Sequence, residues 1–573
     1  MANHELAKIF YEMALLFEMD DVAFKPRAFE KASLAIGSLD TDVCDIYRTG
    51  GVKALEAIPD VGRGVAERIE EYLKTHHIKD YERMKKKIPV DLEGLKSIEG
   101  VGPKTIKLLW QKLKIRTVSD LEKAARSGKI RGIPSLGQKT EENILKGIEF
   151  VKKAGGRFLL GDIYGLVKEI EMRLSKLPGV EQAIAAGSIR RMKETIGDAD
   201  FLVISSKPKP VMEFFLSMPE VVHVYAHGET KSMVKLKNGL DCDLRVVPKE
   251  SFGAALNYFT GSKDHNVELR KIAIKKGMKL SEYGLFKGKK QIAGRTEEDL
   301  YKALGFRYIE PEMRENTGEI EASRNGRLPK NLVGYDDLKG DLQTQTNWTD
   351  GSNSIEDMAR SAKAKGLEYI CITDHTRSLA MTGGADEKKL ERQGHAIDSV
   401  NRRLRGKGMT VLKGAEVNIM ADGSLDIADQ ALARLDCVGA AVHSHFKMSQ
   451  SDMTKRIIRA MENPHVDVLF HPTGRLINRR APYEVDMDEV IRAAKRTGTI
   501  LEIDASPERL DVKDEYIRKC VAAGVKLVID SDAHSVNGFG DLKFGIGQAR
   551  RGWAESGDIL NTKRLKEFLK AIA

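Results

Sequence analysis

An acidic pair at the start of an apolar segment is the feature that most constrains this chain. Asp198 and Asp200 are two residues apart and lead into the strand-like sequence FLVIS. Because side chains alternate across a strand, both carboxylates leave from the same face. Such close carboxylates repel each other unless a cation lies between them. Mg²⁺ suits the position because it takes hard oxygen ligands and keeps sites open for phosphate oxygens, so the pair predicts a metal site for phosphate chemistry.

A second acidic strand and a small turn extend this predicted site. Asp243 lies in GLDCDLRVV, residues 239–247, and a strand beside the first one would bring its carboxylate to the same ions. Three aspartates on two strands suit two-metal phosphoryl transfer. Upstream, Gly187 and Ser188 offer backbone donors and a hydroxyl for a polyphosphate, and two arginines follow them. One pair of aspartates alone is a common surface spacing, whereas the combination is much more specific.

These motifs resemble those of the X-family DNA polymerases, in the bacterial and archaeal form with a C-terminal PHP domain. The resemblance covers essentially the whole chain and implies that Asp198, Asp200 and Asp243 are catalytic, with Mg²⁺ or Mn²⁺ as their ions. The YFTGS turn of the family matches residues 258–262 and lies along the incoming nucleotide. The residues that the resemblance places at the nucleotide are Gly187, Ser188, Arg191, Gly197, Tyr258, Phe259, Gly261 and Asn266.

Three segments with one shared plan precede the acidic strands. They cover residues 57–73, 97–113 and 132–148, and each has an apolar residue, a turn with an apolar-Gly pair, and a helix. This is the helix-hairpin-helix pattern, in which glycine lets the turn approach a phosphate and helix amides face the anion. Three copies favour backbone binding without sequence readout. The residues assigned to DNA are Gly62, Gly64, Gly100, Gly102, Lys104, Gly137, Arg245 and Arg270.

The composition agrees with a nucleic-acid partner. The net charge is +10, and residues 101–150 contain 11 Lys or Arg against 5 Asp or Glu. Such basic segments indicate contact with phosphates. No apolar run approaches the roughly 20 residues of a membrane span, and five cysteines without a CxxC pair indicate reduced thiols. We expect a cytoplasmic monomer, without a membrane partner, that acts on gapped or primer-template DNA with deoxynucleoside triphosphates.

The first helical domain departs from the family at its lyase position. In X-family polymerases this domain often removes a 5′-deoxyribose phosphate through a lysine Schiff base, and the matching residue here is Arg68. A guanidinium stays protonated at physiological pH and cannot form the imine. Gly64 replaces a second lysine of that pocket, although Lys25 and Arg27 could still hold a 5′-phosphate. We therefore expect gap binding without lyase activity.

From Asp341 onward, short apolar strands alternate with helical segments and carry potential ligands at their ends. This placement is typical of a (β/α) barrel whose active site lies at the C-terminal ends of its strands. So many histidines and carboxylates there indicate a multinuclear site for Zn²⁺, Mn²⁺ or Fe. The arrangement resembles the PHP phosphoesterase domain. Its ligand positions map onto Asp350, His375, Glu416, His443, His471, Asp532 and His534.

The first barrel strand departs from the PHP pattern. That domain opens with two histidines, and Gln343 and Gln345 stand in their places here. A glutamine carbonyl is neutral and a poorer ligand than imidazole for these metals, so we expect the loss to empty one metal position. The prediction is a weak Mn²⁺-dependent 3′→5′ exonuclease or none, with Zn²⁺ or Mn²⁺ at the site and the barrel kept partly for its packing against the polymerase.

We predict a multidomain fold with α-helical N-terminal domains, an α/β palm and thumb, and a C-terminal (β/α) PHP barrel. The function predicted is gap filling in base excision repair by a template-directed DNA polymerase. The alternative is a DNA-end or lesion-binding protein whose barrel is a scaffold or phosphoesterase, and the intact aspartates favour the polymerase. The predicted domains are 1–90 (lyase-like helix-hairpin-helix), 91–150 (fingers-like helix-hairpin-helix), 151–250 (nucleotidyltransferase palm), 251–316 (thumb-like), 317–340 (linker) and 341–573 (PHP barrel).

Overall fold

The computed structural model describes residues 2–37, 39, 41–96, 98, 100–153 and 156–572. Contacts divide the chain into two units. The first is Met1–Gly155 with Asp350–Ser354 and Leu476–Pro482, and the second is Gly156–Thr349, Ile355–Arg475 and Tyr483–Ala573.

The N-terminal part of the first unit is helical, as predicted. Its described helices are α1 (Ala2–Met19), α2 (Lys25–Gly37), α3 (Val43–Glu56), α4 (Arg63–Thr75), α5 (Lys79–Lys87), α6 (Leu92–Lys96), α7 (Pro103–Leu113), α8 (Val118–Arg126) and α9 (Gln138–Lys153).

The three sequence repeats share one backbone geometry. Helices α4, α7 and α9 begin directly after Gly62, Gly102 and Gly137. Two residues before each glycine the backbone has a positive φ, between 60° and 83°. A Cβ atom placed on any of the three glycines would meet no heavy atom within 4 Å in the described structure. The first amides of these helices are therefore open to an approaching anion.

The second unit begins with a mixed α/β segment. Its strands are β1 (Phe158–Leu159), β2 (Val180–Ala185), β3 (Thr195–Ile196), β4 (Asp198–Ser205), β5 (Val221–His227), β6 (Lys231–Leu236) and β7 (Asp241–Val247). Its helices are α10 (Leu160–Ser175), α11 (Gly187–Arg190) and α12 (Pro208–Leu216). The main sheet has the order β2-β4-β7-β6-β5, in which β4 and β7 are parallel and the other neighbours antiparallel.

The two faces of this sheet have different neighbours. Phe201 of β4 points to one face, where its ring contacts Phe215 of α12. Leu202 and Ile204, on the opposite face, belong to the same buried cluster as Phe252 of the next segment. Because β4 alternates, the carboxylates that begin it share the face of Leu202. The acidic face is thus placed beside the segment that follows the sheet.

That following segment contains four helices and a small sheet in the described chain. They are α13 (Phe252–Thr260), α14 (Lys263–Lys275), β8 (Lys279–Ser281), β9 (Gly284–Lys287), β10 (Lys290–Ala293), α15 (Glu297–Leu304) and α16 (Glu319–Arg324). Part of the predicted linker is folded here, because Ile320 and Ala322 of α16 pack into the same core as Leu300 and Tyr301. Polar composition suggested a linker, whereas the apolar side chains of one short helix are buried.

The remaining strands form one parallel sheet in sequence order. They are β11 (Gly340–Thr344), β12 (Tyr369–Ile372), β13 (Thr410–Asn418), β14 (Cys437–Ala441), β15 (Val468–Leu469), β16 (Ile500–Asp504) and β17 (Leu527–Asp530). The helices are α17 (Ile355–Ala364), α18 (Glu387–Leu404), α19 (Asp429–Leu432), α20 (Gln450–Met461), α21 (Met487–Thr497), α22 (Asp514–Ala523), α23 (Leu542–Arg551) and α24 (Leu565–Ile572).

The ends of this sheet meet and nearly close a barrel. The amide nitrogen of Gln345 donates to the carbonyl oxygen of Ala533 at 2.8 Å, which joins the first strand to the last. At the N-terminal end of the strands, Phe568 of α24 stacks on Tyr369 with ring centroids 5.3 Å apart. Both rings are fully buried. Helix α24 therefore fills the bottom of the barrel and leaves the C-terminal ends of the strands for a site.

The predicted fold class is confirmed: helical N-terminal repeats, an α/β sheet with a following helical segment, and a parallel (β/α) barrel. Among the described residues, no helix combines the length and the apolar character needed to span a bilayer.

Candidate active sites

The two acidic strands lie side by side. In the parallel register of β4 and β7, Asp200 is opposite Asp243 and Asp198 is opposite Asp241. Burial and the charges of Asp198 and Asp243 raise the pKa of Asp200 to about 7. Burial also raises the pKa of Asp243. Carboxylates in this state need positive charge to ionise together, and an all-oxygen donor set on an open strand face fits Mg²⁺ or Mn²⁺.

The turn before β4 packs directly onto the acidic pair. Gly187 has a φ of 70°, which favours glycine. A Cβ atom at this position would lie 2.8 Å from Asp200 Oδ2. The amide nitrogen of Ala186 donates to the carbonyl oxygen of Asp200 at 2.7 Å. Gly197 is also tightly placed, because a Cβ there would lie 3.0 Å from Arg157 Nη1. Gly187 therefore allows the turn to approach the carboxylate of Asp200.

Cations border the acidic face. Lys231 lies opposite Arg245 in the antiparallel register of β6 and β7. Both act to lower the pKa of Asp243 against the larger effect of burial. Lys235 pairs with Asp241 at 2.8 Å. Lys231 was not predicted from the sequence. The signal that the sequence offers is strand alternation, since Lys231 lies two residues before Met233 and so on the same face of the strand.

The two arginines after the turn have different partners. Arg190 Nη2 donates to Glu297 Oε2 at 2.7 Å, and Arg190 Nη1 donates to Thr260 Oγ1 at 2.7 Å. Arg191 Nε donates to Glu315 Oε1 at 3.0 Å, and its Nη1 donates to the carbonyl oxygen of Thr260. Both arginines therefore hold the turn that ends α13.

The ionisation of Glu297 makes the stability of this region depend on pH. Burial acts to raise its pKa, but Arg314 and Arg190 lower it to about 2 from an ordinary 4.5. A depressed pKa contributes stability that is present above pH 4.5 and lost as the pH falls toward 2. We expect Glu297→Gln to be less stable than the wild type at pH 6, with a difference in Tm that narrows below pH 4. Thermal unfolding of both proteins measures this, and a constant difference from pH 6 to pH 3 would contradict it.

Two residues predicted to contact the nucleotide, Tyr258 in α13 and Asn266 in α14, border one small cavity together with Arg270, which was assigned to DNA. Tyr258 is 37% exposed, and its carbonyl oxygen accepts a hydrogen bond from Asn266 Nδ2 at 2.7 Å. Arg270 Nε donates to the carbonyl oxygen of Asn266 at 3.3 Å. Tyr258, Asn266 and Arg270 border the same cavity. Phe259 packs against Tyr258 and lies under the Arg245 guanidinium, 4.6 Å from its ring centroid.

The barrel has a carboxylate surrounded by imidazoles. Glu416 Oε1 lies 2.9 Å from His471 Nε2 and 3.0 Å from His443 Nε2, and Glu416 Oε2 lies 3.1 Å from His375 Nδ1. His375, Glu416 and His443 can each offer one ligand atom within 4.8 Å of the others. Burial acts to raise the pKa of Glu416, but the His375 and His443 imidazoles hold it well below its usual value. This mixed nitrogen and oxygen donor set fits a transition metal.

A hydrogen-bonded chain orients one of these imidazoles. His443 Nδ1 lies 2.8 Å from Asn418 Oδ1, and Asn418 Nδ2 donates to Asp426 Oδ2 at 2.8 Å. The side-chain oxygen of Asn418 can only accept, so Nδ1 carries the proton and Nε2 presents its lone pair to the centre. Asn418 and Asp426 were not predicted from the sequence. Asn418 ends strand β13, which could have indicated it.

The two glutamines behave differently. Gln345 Nε2 donates to Glu416 Oε2 at 3.0 Å, so this amide binds the carboxylate at the centre. Gln343 is fully buried, and its amide nitrogen and oxygen have no hydrogen-bond partner within the described part of the chain. A buried amide without a hydrogen-bond partner lowers the stability of the fold, and the side-chain amide of Gln343 can bind an ion or a water molecule.

The remaining predicted barrel ligands are His534, Asp532 and Asp350. His534 and His375 can each offer a ligand atom, and these two atoms lie within 4.8 Å of each other. Asp532 follows β17, and its Oδ2 atom lies 3.6 Å from the Nε atom of Arg509, a mostly buried cation that was not predicted. Asp350 lies in the short segment that groups with the first unit, and its role as a ligand stays a prediction.

In the first unit, Arg68 occupies the predicted lyase position. Its Nη1 atom donates to the carbonyl oxygen of Gly64 at 2.6 Å, and its Nη2 atom pairs with Asp80. The guanidinium lies 5.5 Å from the ring centroid of Phe29. Lys104 follows the second repeat glycine in α7, with a side chain that is 76% exposed.

Comparison with known families assigns parts of the chain. Residues 1–78 match a helix-hairpin-helix domain, and residues 92–149 match a SAM-like helix-hairpin-helix tandem. Residues 255–315 match the DNA polymerase beta thumb, and residues 341–505 match the PHP domain.

Three curated proteins show similarity over different lengths. The DNA polymerase/3′-5′ exonuclease PolX of Bacillus subtilis is 35% identical over 578 residues, which covers 100% of both chains. A probable phosphatase of Thermoanaerobacter sp. is 32% identical over 233 residues, 38% of this chain and 88% of that protein. DNA polymerase lambda of Rattus norvegicus is 29% identical over 45% of this chain and 48% of its own length.

Proposed function

Since the chain belongs to the X-family DNA polymerases with a C-terminal PHP domain, we propose that it fills short gaps in DNA during repair. Primer-template or gapped DNA and deoxynucleoside triphosphates are the substrates, and we propose that the protein acts as a monomer. The observation that supports this proposal best is the parallel pairing of β4 and β7, which sets Asp200 beside Asp243.

The site residues have distinct proposed roles. Asp198, Asp200 and Asp243 would hold Mg²⁺ or Mn²⁺, which when bound activates the attacking primer oxygen and stabilises the leaving pyrophosphate. Ser188 and Arg191 bind the polyphosphate, with the backbone of Gly187 and Gly197 allowing its close approach. The nucleotide sugar rests on the 258–262 turn, with Tyr258, Phe259 and Gly261 beside it. Asn266 contacts the nascent base pair, and Arg270 and Arg245 contact DNA.

The helix-hairpin-helix turns supply most of the affinity for DNA. Their open helix N-termini bind phosphates without reading bases, so affinity should fall steeply with salt and depend little on sequence. The proposed DNA contacts of this part of the chain are Gly62, Gly64, Gly100, Gly102, Lys104 and Gly137.

Primer extension on a short gap tests the proposal. The purified protein is given a 5′-labelled primer, a gapped template and nucleotides, with Mg²⁺ and Mn²⁺ in parallel. Templated extension that stops when the gap is filled is the expected result. Tight binding to gapped DNA with no extension in either metal would favour the DNA-end binding alternative.

We expect no lyase activity. Arg68 cannot form a Schiff base, so borohydride should trap no adduct with incised abasic DNA above the level seen without enzyme. Arg68→Lys is the matched variant, since it restores an amine beside Asp80 and should raise the trapped signal. A strong adduct with the unaltered protein would show that another lysine has taken over.

We propose that the barrel is a metal-dependent phosphoesterase acting on DNA 3′ ends, with weak Mn²⁺-dependent activity or none. His375, Glu416, His443 and His471 would hold one ion, Mn²⁺ or Zn²⁺, which when bound polarises a phosphate ester. The contacts of Glu416 with three imidazoles support this centre. Asp350, Asp532 and His534 would complete the ligand shell, and the substitution at Gln343 and Gln345 weakens it.

A further inference from the structure

A buried arginine of the barrel reaches the arginine pair beside the acidic strands. Arg551 ends helix α23, and only 4% of its side chain is exposed. Its Nη1 atom donates to the carbonyl oxygen of Arg191 and to Glu315 Oε1, both at 3.0 Å. Its Nη2 atom donates to the carboxylate of Asp514 at the start of α22. One guanidinium therefore joins the barrel to both segments that form the polymerase site.

Glu315 is the shared acceptor of this network. Its Oε1 atom accepts hydrogen bonds from Arg551 and from Arg191 Nε, each at 3.0 Å. Lys193 Nζ lies 3.8 Å from its other oxygen. Burial acts to raise the pKa of Glu315, but Arg551, Arg191 and Lys193 keep it below its usual value. Arg551 thus holds Arg191 twice, directly at the backbone and through Glu315 at the side chain.

The surrounding interface is tightly packed. Gly547 of α23 faces Met192, and a Cβ atom on that glycine would lie 2.8 Å from Met192 Cβ. Gly161 faces Pro507 in the same way, with a Cβ contact of 2.4 Å. Close-packed contacts of this kind transmit displacements instead of absorbing them. The position of α23 therefore sets the position of the backbone at residues 191 and 192.

Arg191 carries this constraint to the nucleotide side of the site. Its Nη1 atom donates to the carbonyl oxygen of Thr260, inside the 258–262 turn. A Cβ atom on Gly261 would lie 3.0 Å from that same Nη1 atom. The guanidinium thus rests on the turn proposed to carry the nucleotide sugar, while Arg551 and Glu315 hold it from the barrel side.

We propose that Arg551 is a positioning residue for nucleotide binding by the polymerase. It holds Arg191 and the 258–262 turn in place relative to Asp198 and Asp200, so the barrel supports DNA synthesis independently of any hydrolysis at its own metal centre. This inference rests on the proposed polymerase function. Arg551 does not touch the reacting atoms; it acts through Arg191 and Glu315.

The conservative variant Arg551→Lys tests the proposal without removing the charge. A lysine keeps the positive charge for Asp514 but cannot reach three acceptors with a planar fork. Arg550→Lys is the matched control, because Arg550 is the neighbouring residue of α23 and is also largely buried. Its guanidinium donates to Glu312 Oε1 at 2.8 Å and to the carbonyl oxygen of Val333 at 2.9 Å, so it uses other acceptors than Arg551 does.

Single-turnover incorporation on gapped DNA is measured over a range of nucleotide concentrations, with DNA affinity measured separately. We expect Arg551→Lys to raise the nucleotide Kd about tenfold, about 1.4 kcal/mol. The DNA Kd should change less than about threefold, since DNA is bound through backbone contacts elsewhere. The maximal rate should also change less than about threefold, since Arg551 does not touch the reacting atoms. Arg550→Lys should leave all three quantities near the wild-type values. Equal nucleotide Kd values for Arg551→Lys and wild type would overturn the inference.

Glu315→Gln gives a second measurement, and by itself it tests the proposal if Arg551→Lys does not fold: an unchanged nucleotide Kd in this variant would contradict the role of the network. Glu315→Gln should also raise the nucleotide Kd. Where Arg551→Lys folds, the nucleotide Kd of the double variant should be no higher than that of the more impaired single variant, because both residues act on Arg191. Additive effects would mean that the two residues act separately and would contradict the proposal. A wild-type protein that binds DNA but incorporates nothing would overturn the proposed polymerase function instead, which keeps the two failures distinguishable.

Discussion

Replacement of Asp243 by alanine is expected to abolish nucleotide addition, with a fall in rate of about 10³-fold or more, equivalent to about 4 kcal/mol of transition-state stabilisation. Asp243 lies opposite Asp200 on the neighbouring parallel strand, so its loss removes one of the three carboxylates that we propose to hold the ions. The affinity for gapped DNA should change less than about threefold, because the helix-hairpin-helix turns and basic side chains supply it.

Asp241→Ala is the matched control for this experiment. Asp241 lies on the same strand, two residues before Asp243, and forms an ion pair with Lys235 at 2.8 Å. A partly exposed pair of this kind is worth about 1 kcal/mol or less, so the rate should stay within about fivefold of the wild type. Substantial extension by Asp243→Ala at ordinary Mg²⁺ concentrations would falsify the assignment of three catalytic aspartates.

Replacement of Glu416 by glutamine is expected to remove most of the metal bound by the barrel. Glu416 has carboxylate oxygens within 3.1 Å of three imidazoles, so its loss should lower metal affinity by more than the roughly 10–100-fold that altering an outer-shell partner costs. Metal content of the dialysed protein is the measurement, with 3′-end nuclease activity as a second readout. Glu391→Gln, on the outer helix α18, should keep the metal.

Restoring the two missing histidines tests the same centre from the opposite direction. Gln343→His with Gln345→His should raise both metal content and nuclease rate, because imidazole replaces a neutral amide at each position. Gln345 now donates to Glu416, so its replacement also frees that carboxylate for an ion. Strong nuclease activity in the unaltered protein, lost on His443→Ala or Asp532→Ala, would show that glutamine is tolerated there.

Local periodicity explains which features of the sites were predictable. The spacing of two between Asp198 and Asp200 places both on one strand face in any context, because strand side chains alternate. The helix-hairpin-helix repeats and the positions of barrel ligands after apolar strands are likewise local patterns. The sequence itself shows that Gln343 and Gln345 stand in place of imidazoles. It does not show the hydrogen bond from Gln345 to Glu416.

Contacts between residues that are far apart in the sequence could not be predicted, because they depend on how whole helices and strands pack together. Lys231 faces the aspartates through the register of β6 and β7, and Arg509 reaches Asp532 from a loop after another strand. Neither residue stands in a motif that marks a charged partner. The predicted linker shows the same limit, since polar composition concealed the apolar face of α16 that the core buries.

The sequence by itself determined which chemistry could be predicted for this protein: phosphoryl transfer from three aspartates, binding of the DNA backbone by the repeats, and a barrel site that lacks two imidazoles. Only the tertiary structure decided how these parts depend on one another. Arg551 and the carbonyl oxygen of Arg191 are 360 residues apart in the chain, yet they share a hydrogen bond. Backbone periodicity acts over a few residues, whereas a contact of this kind exists only after the sheet, the thumb and the barrel have packed together.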